Sequence, residues 1–188
     1  MDATEVAAVL ARARQGDSEA FRTLVERHSR RAFQLAYRIT GNEQDAEDVV
    51  QESFIRAYRQ LNRFEARAHF ATWLHRIVAN CSVDLIRSRR TRRDHASTDD
   101  LAPAQQPEAD GADPERLAVS AQIERKVAAA MAALSPLERA AFTLRHYEGR
   151  SIADIGRTLG LGTSATKHSV FRAVRKLRTA LEPLRGES

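Results

Sequence analysis

Five basic and aromatic side chains near the C-terminus have the types and spacing to recognise nucleic acid: Lys167, His168, Phe171, Arg172 and Arg175. Their three- and four-residue steps place them on the outer face of a predicted helix. Arginine can donate two hydrogen bonds to a guanine edge, lysine and histidine can reach phosphates or bases, and phenylalanine can touch a thymine methyl group. The pattern favours contact with duplex DNA, although a solvated charged face would look the same. Lys176 and Arg178, further along, fit solvated residues or phosphate contacts.

The elements around these residues form a helix-turn-helix pattern. Ser135–Glu138 is a capping box with proline at the first helical position, and Ser151–Asp154 is a second box of the same form. The first of these helices runs to about Glu148. Gly160–Gly162 predicts a tight turn before a last helix that starts near residue 163 or 164. We expect that helix to bury Val170, Val174, Leu177 and Leu181. In this motif, the N-terminal half of the second helix enters the major groove.

The N-terminal half of the chain also reads as helical. Apolar residues recur with helical spacing, Thr40-Gly41 ends one helix, and Asn42 is a predicted N-cap for the next. Three helices are expected to bury these rows: Phe21, Leu24, Val25, Ala32, Leu35, Ala36 and Ile39; Val49, Val50, Phe54, Ala57, Tyr58 and Leu61; Phe70, Leu74, Ile77, Val78, Cys81 and Leu85. The outer face of the second helix carries Asp48, Gln51, Glu52 and Arg56.

A polar break at residues 62–69 separates the second and third helices. The break contains Phe64 and His69, Trp73 follows at the start of the third helix, and that helix runs into an arginine cluster. Proteins that hold single-stranded nucleic acid combine aromatic side chains with a basic surface in this way. Both rings could instead lie in the hydrophobic core: the pattern favours the core for Trp73, whereas Phe64, in a polar segment, fits either place.

Charge and proline content divide the chain into two domains. Residues 1–93 carry net charge +5 and residues 116–188 carry +7, whereas residues 94–115 carry −7 and contain three of the five prolines. The acidic segment has almost no large apolar residue, so burial cannot offset the entropy lost on ordering it. We therefore predict an all-α protein with two small helical domains, residues 1–93 and 117–188, joined by a flexible acidic linker of residues 94–116. The second domain carries the helix-turn-helix.

Composition excludes several other classes of protein. One cysteine, Cys81, cannot form an internal disulfide or a cysteine-based zinc site, and its place on an apolar row predicts an inert thiol. No apolar run is long enough to span a bilayer, and no secretory signal precedes the first helix, so we expect a cytoplasmic protein without membrane insertion. The six histidines show no HExxH or nucleophile motif. We expect no catalysis, metal, cofactor or small-molecule substrate.

The two halves, in this order, resemble the extracytoplasmic-function (ECF) class of bacterial RNA polymerase sigma factors. The resemblance is carried by DAEDVVQESFIRAYRQL at residues 45–61, FATWLHRIVAN at 70–80, and SPLERAAFTLRHYEGRSIADIGRTLGLG in the C-terminal half. It covers about residues 15–93 and 117–182. The resemblance implies an alternative sigma factor that binds core RNA polymerase and promoter DNA, and that melts and traps the minus-ten strand. It also implies control by an anti-sigma factor.

The resemblance assigns a role to each surface. The docking surface for core polymerase would be Asp48, Gln51, Glu52 and Arg56. Contacts with the minus-ten element would come from Phe64, Arg67, His69, Arg76, Asn80, Asp84 and Arg87. Contacts with the minus-thirty-five duplex would come from Lys167, His168, Phe171, Arg172 and Arg175. The break at residues 65–69 and the pair His168-Ser169 depart from the common family pattern, so no consensus promoter is carried over.

Two other functions compete with this interpretation. A stand-alone helix-turn-helix regulator would account for residues 151–178 but would give no function to the helix that contains DVVQE. Binding to core polymerase distinguishes a sigma factor from such a regulator. A nucleic-acid enzyme would need a metal site or a nucleophile, which the motifs do not supply. Added divalent metal should then produce no nuclease activity.

Overall fold

The computed structural model describes residues 3–64, 69–95 and 114–182. All regular structure in these ranges is helical, which confirms the all-α prediction. The elements are α1 (Ala3–Arg14), α2 (Ser18–Thr40), α3 (Glu43–Gln60), a 3₁₀ turn (Leu61–Arg63), α4 (Phe70–His95), α5 (Pro114–Ala132), α6 (Pro136–His146), α7 (Ile152–Leu159) and α8 (Thr163–Leu181). The chain divides into two compact units, Met1–Leu85 and Ile86–Ser188, and each is described by itself.

Both ends of the predicted linker, residues 94–116, are helical. The α4 helix continues to His95 and α5 begins at Pro114. The N-terminal unit ends at Leu85, inside α4, whereas the sequence placed the domain boundary at Arg93. The central part of the linker, residues 96–113, lies outside the described residues. The predicted flexibility concerns these residues and stays a prediction.

Side-chain caps and one glycine define the helix boundaries of the N-terminal unit. Asp17 caps α2 by accepting a hydrogen bond from the Ala20 amide at 3.0 Å. Gly41 ends α2 with φ of 73°, a left-handed conformation that glycine adopts without a Cβ clash. Asn42 then caps α3 through the Asp45 amide at 2.9 Å, which confirms the predicted N-cap.

The core of this unit is formed by large aliphatic side chains of α2, α3 and α4. Those that are fully buried are Leu24, Leu35, Ile39, Val49, Leu74 and Val78. The predicted row on α3 was too wide, because Val50 is only partly buried and Tyr58 is 48% exposed. The other predicted core residues that remain partly exposed are Phe21, Val25, Ile77 and Leu85.

Within the C-terminal unit, α5 is a helix that the apolar pattern did not delineate. Ala130 of α5 and Leu134, two residues beyond the end of that helix, pack against Ala173 and Leu177 of α8 to form a small core. The predicted capping box of α6 is confirmed. Ser135 Oγ accepts from the Glu138 amide at 3.2 Å, while the Glu138 carboxylate accepts from the Ser135 amide at 2.9 Å. The α6 helix ends at His146, two residues before the predicted limit.

The helix-turn-helix is made by α7, the turn at residues 160–162, and α8. Gly156 allows the close approach of the turn, because a Cβ at this position would lie 2.8 Å from the Leu161 carbonyl oxygen. The buried row of α8 consists of Thr166, Ser169, Ala173 and Leu177. Of the four residues predicted to be buried, Leu177 is buried, whereas Val170, Val174 and Leu181 are only partly buried, although Leu181 packs against the small core. The buried row is made mostly of small side chains, and Thr166 lies close to α7, since a Cβ added at Gly156 would be 3.1 Å from Thr166 Oγ1.

Candidate docking groove and nucleic-acid surfaces

An open apolar groove of about 960 Å³ runs between α2 and α3. We call it the α2–α3 groove. Its apolar lining is Phe21, Val25, Phe33, Val50, Phe54, Ile55 and Tyr58, and its polar lining is Ser29, Arg30, Glu47, Gln51 and Arg59. The rings of Phe21 and Tyr58 meet edge-on with centroids 4.9 Å apart. A contiguous exposed apolar surface with a polar rim is typical of a protein-binding site.

The four predicted docking residues divide between two surfaces. Gln51 lines the α2–α3 groove, and Asp48 lies exposed on the same helix. Arg56 instead forms ion pairs with Glu52 at 2.7 Å and with Asp84 of α4 at 3.4 Å. All three side chains are partly exposed to water, so the pairs orient the side chains and contribute only about 0–1 kcal/mol each to stability.

Sequence reasoning missed the apolar part of this groove. It assigned Val50 and Tyr58 to the core together with Val49, Phe54 and Ala57. The residues that α3 buries are Asp45, Ala46, Val49, Ser53, Phe54 and Ala57, whereas Val50 and Tyr58 remain partly or largely exposed and line the groove. The sequence did contain a sign of the groove: the apolar residues of α3 span a wider arc of the helix than one neighbouring helix can bury, so some of them must stay exposed.

The aromatic residues around the start of α4 form a cluster. The ring centroids of Phe64 lie 5.9 Å from Phe70 and 5.1 Å from Trp73, and Phe64 is only 3% exposed. The ring of Phe64 is therefore a core residue in this structure and is not exposed for stacking on a base, so its predicted contact with DNA stays a prediction. Trp73 is partly exposed and belongs to the same cluster. The predicted residue Arg67 lies outside the described residues.

The remaining predicted minus-ten residues lie along α4. His69 is exposed at the helix start, where its carbonyl accepts from the Trp73 amide at 3.1 Å. Arg76, Asn80 and Asp84 follow at four-residue steps, which places them on one face of the helix. Arg76 and Asp84 are exposed and Asn80 is partly exposed. Arg87 is exposed on the part of α4 that continues beyond the N-terminal unit.

Two titratable groups in the N-terminal unit are perturbed by burial. Burial lowers the pKa of His28, and the nearby charges of Arg27, His75 and Arg31 lower it further. The His28 ring packs on Phe70 at a centroid distance of 5.1 Å. Burial raises the pKa of the Cys81 thiol, which disfavours the reactive thiolate and agrees with the expected inert cysteine.

The α8 surface presents the five predicted minus-thirty-five residues to solvent. All of them are exposed, and Phe171 reaches 62%. Four of the five, all except Lys167, line a shallow hollow of about 510 Å³ together with Leu137, Leu161, Ala165 and Ser169. The helix face therefore combines an apolar ring with cations, the groups that read thymine methyl and guanine edges.

A carboxylate lies beneath this basic surface. Glu138 of α6 approaches Lys176 Nζ at 2.8 Å and Arg172 Nε at 3.4 Å, and its side chain is only 5% exposed. Burial by itself would raise the pKa of Glu138, but hydrogen bonds from Lys176 and Ser135 outweigh it and the net pKa is lowered. Sequence reasoning assigned Glu138 only to the capping box. Its pairing with residues of α8 is a long-range contact without a sequence signal.

Each of the two units contains a region that matches a known protein family. Residues 24–92 match the family model "Sigma-70 region 2", and residues 124–177 match "Sigma-70, region 4". The chain is 32% identical over 175 residues to the ECF RNA polymerase sigma factor SigW of Bacillus subtilis, covering 91% of this chain and 94% of that protein. This chain belongs to the ECF sigma factors. The predicted family is thereby confirmed.

Solved structures share the fold of this sigma factor. The sigma factor RpoE of Bartonella quintana, solved in complex with the anti-sigma factor NepR, aligns with a TM-score of 0.66 at 23% identity, covering 86% of this chain and 96% of that one. CnrH, solved in complex with the cytosolic domain of CnrY, aligns with a TM-score of 0.61 at 28% identity, covering 96% and 97%.

Two other kinds of site are absent from residues 3–64, 69–95 and 114–182. No helix there is both long and apolar enough to cross a membrane. Within the same ranges, no three histidine, cysteine or acidic side chains come together as a metal site would require.

Proposed function

We propose that this sigma factor binds core RNA polymerase, directs it to a specific set of promoters, and opens them by melting and trapping the minus-ten strand. The observation that carries the proposal is the pairing of two kinds of surface in one ECF chain. An exposed apolar groove fits a protein partner, and exposed basic faces on α4 and α8 fit nucleic acid. A stand-alone regulator would need only the basic faces that bind nucleic acid, and not the apolar groove.

The proposed docking site for core polymerase is the α2–α3 groove together with its polar rim. Tyr58 and Ile55 supply exposed apolar area, at 48% and 39%, that becomes buried when a partner helix or hairpin fills the groove. Gln51 and Asp48 supply hydrogen bonds at the edge. Glu52 and Arg56 do not line the groove, but they pair with each other on the adjoining face of α3, where they would add charged contacts to the same partner.

The proposed minus-ten reader is the exposed face of α4. Asn80 can both donate and accept hydrogen bonds, as reading an extruded base requires. Arg76 and Arg87 are exposed and cationic, so they attract the phosphates of the melted strand. Asp84 contacts Arg56, and we assign it to orienting that arginine rather than to DNA.

The proposed minus-thirty-five reader is the exposed face of α8. Arg172 and Arg175 would donate to guanine edges, Phe171 would contact a thymine methyl group, and His168 and Lys167 would reach bases or phosphates. Neither reader needs to bind strongly alone. Polymerase holds both on one promoter, so the second contact forms at high effective concentration.

Control by an anti-sigma factor is part of the same proposal. CnrH, which shares this fold, was solved in a complex with the cytosolic domain of CnrY, so a protein of this fold can be held by a second protein. We propose that the inhibitor covers the α2–α3 groove. Because promoter DNA and polymerase lie in the bacterial cytoplasm, the factor would act there, without catalysis or a cofactor of its own.

Binding of fluorescently labelled protein to purified core RNA polymerase tests the docking site. The variant Gln51→Ala/Tyr58→Ala removes one polar and one apolar contact, and we expect its Kd to rise at least about thirtyfold, as truncated aromatic anchors typically cause. Gln34→Ala is the matched control, since Gln34 is exposed on α2 and does not line the groove. Its Kd should stay within about twofold of wild type, in line with surface substitutions.

The same samples separate the two candidate functions. A sigma factor binds core polymerase and then supports transcription from a promoter library. If wild-type protein, freed of any inhibitor, binds duplex DNA but not core polymerase, the chain is a stand-alone regulator. If the double variant binds as wild type does, the docking site lies elsewhere on the protein.

A further inference from the structure

Glu138 occupies an unusual position for a capping residue. Its Oε2 accepts hydrogen bonds from the Ser135 amide at 2.9 Å and from Lys176 Nζ at 2.8 Å, and its Oε1 faces Arg172 Nε at 3.4 Å. The carboxylate is only 5% exposed, whereas Arg172 and Lys176 are 56% and 45% exposed. The buried carboxylate of Glu138 thus forms ion pairs with two exposed cations of α8, Arg172 and Lys176.

The carboxylate is ionised in this environment. Burial opposes ionisation, but the hydrogen bonds from Lys176 and from Ser135 and the charge of Lys176 more than compensate, so the pKa of Glu138 lies below its ordinary value. A buried carboxylate with charged and backbone donors on its oxygens is fixed in position. Its partners on α8 therefore lose part of the rotamer freedom that exposed arginine and lysine side chains normally have.

The geometry of the Arg172 contact matters for DNA reading. The ion pair is made through Nε, on the inner edge of the guanidinium. Bidentate recognition of guanine uses two parallel N–H groups, which Nη1 and Nη2 can supply from the outer part of the same plane. The carboxylate at Nε therefore orients the guanidinium plane of Arg172 and leaves Nη1 and Nη2 available to donate hydrogen bonds to a base.

We propose that Glu138 is a positioning residue for promoter selection: it holds Arg172, with Lys176 beside it, in the orientation that reads one part of the minus-thirty-five element. The inference rests on the proposed role of Arg172 in reading that element. Glu138 touches no DNA itself. It converts a flexible exposed arginine into a pre-oriented one, which raises discrimination between bases more than overall affinity.

The test must separate positioning from a purely structural role in the cap. Glu138→Gln retains an amide oxygen that can accept from the Ser135 amide, but it carries no charge to hold Arg172. Ser135→Ala is the matched control, because it removes the other half of the capping box and leaves the carboxylate in place. Both variants can lower thermal stability. Only Glu138→Gln should change which sequences are selected.

The assay is transcription by full-length protein with core polymerase from a promoter library randomised in the minus-thirty-five region, read by sequencing. Arg172→Ala should lower the preference at one or two positions by about five- to one-hundred-fold, the range for loss of a bidentate base contact. Glu138→Gln should lower preference at the same positions, by about three- to tenfold. Ser135→Ala should give the wild-type sequence logo. Adding Glu138→Gln to Arg172→Ala should cause no further loss at those positions.

Three results would count against the proposal. Unchanged selection by Glu138→Gln, beside altered selection by Arg172→Ala, would overturn the positioning role and leave the assignment of Arg172 intact. Unchanged selection by Arg172→Ala would overturn both. Equal loss at all positions in Glu138→Gln and Ser135→Ala would show a structural role only. If Glu138→Gln does not fold, Glu138→Asp replaces it, because the shorter side chain keeps the charge but moves it away from Nε.

Discussion

Phe64 provides a sharp test of the N-terminal unit, because its sequence context favoured DNA contact as much as the core and the structure buries it. Phe64→Ala removes a ring that is 3% exposed and packs on Phe70 and Trp73. Loss of a buried phenylalanine costs about 3–5 kcal/mol, which includes the cavity left behind. The unit is of the size in which 1 kcal/mol shifts Tm by about 4–8 °C, so we expect a fall of at least about 12 °C.

Urea unfolding followed by tryptophan fluorescence measures this effect directly. Trp73 is the only tryptophan in the chain and contacts Phe64, so the signal reports on the N-terminal unit. Gln34→Ala is the control, because Gln34 is exposed on α2 and lies outside the groove, so its truncation should cost less than about 0.5 kcal/mol. Should Phe64→Ala unfold at the wild-type midpoint and yet fail to open promoters, Phe64 would be a DNA contact and the aromatic core assignment would be refuted.

Two further predictions concern pH and packing. Because burial lowers the pKa of His28 in the folded protein, the unfolded chain binds a proton more readily than the folded one. The contribution of His28 to the free energy of unfolding is therefore complete above about pH 6.5 and decreases as the pH falls below that value. Thermal unfolding between pH 7.5 and 5.5 should show this loss, and His28→Gln should reduce it; an equal loss in both proteins would exclude His28 as the source. Gly156→Ala should destabilise the C-terminal unit by about 1–3 kcal/mol, because the new Cβ meets the Leu161 carbonyl. Circular dichroism should show a much smaller change for Gly162→Ala, where nothing lies within 4 Å of the added Cβ.

Local chemistry made several helix boundaries predictable from sequence. Asn42 and Ser135 cap their helices as expected, because a capping bond joins residues only three apart. Gly41 and Gly160 end α2 and α7 with positive φ for the same local reason. The family also followed from sequence, since its motifs are contiguous stretches of the chain.

Features that depend on packing between helices were not predictable. The contact face of α8 is built on Thr166 and Ser169, whose hydroxyls bond to carbonyls of their own helix, so an apolar pattern could not identify it. Tyr58 has the spacing of a core residue but lines an open groove. The contact between Glu138 and Lys176 joins residues 38 apart in sequence, beyond the reach of any local rule.

The open α2–α3 groove also has a consequence for how long the protein survives. A partner that binds only the folded N-terminal unit stabilises it by mass action, by about 2.7 kcal/mol when its concentration is one hundred times Kd. Copies without a partner therefore open and expose cleavable backbone roughly one hundred times more often than bound copies. Proteolysis would remove unbound copies first, so the cellular level of this factor would follow the supply of proteins that fill the groove.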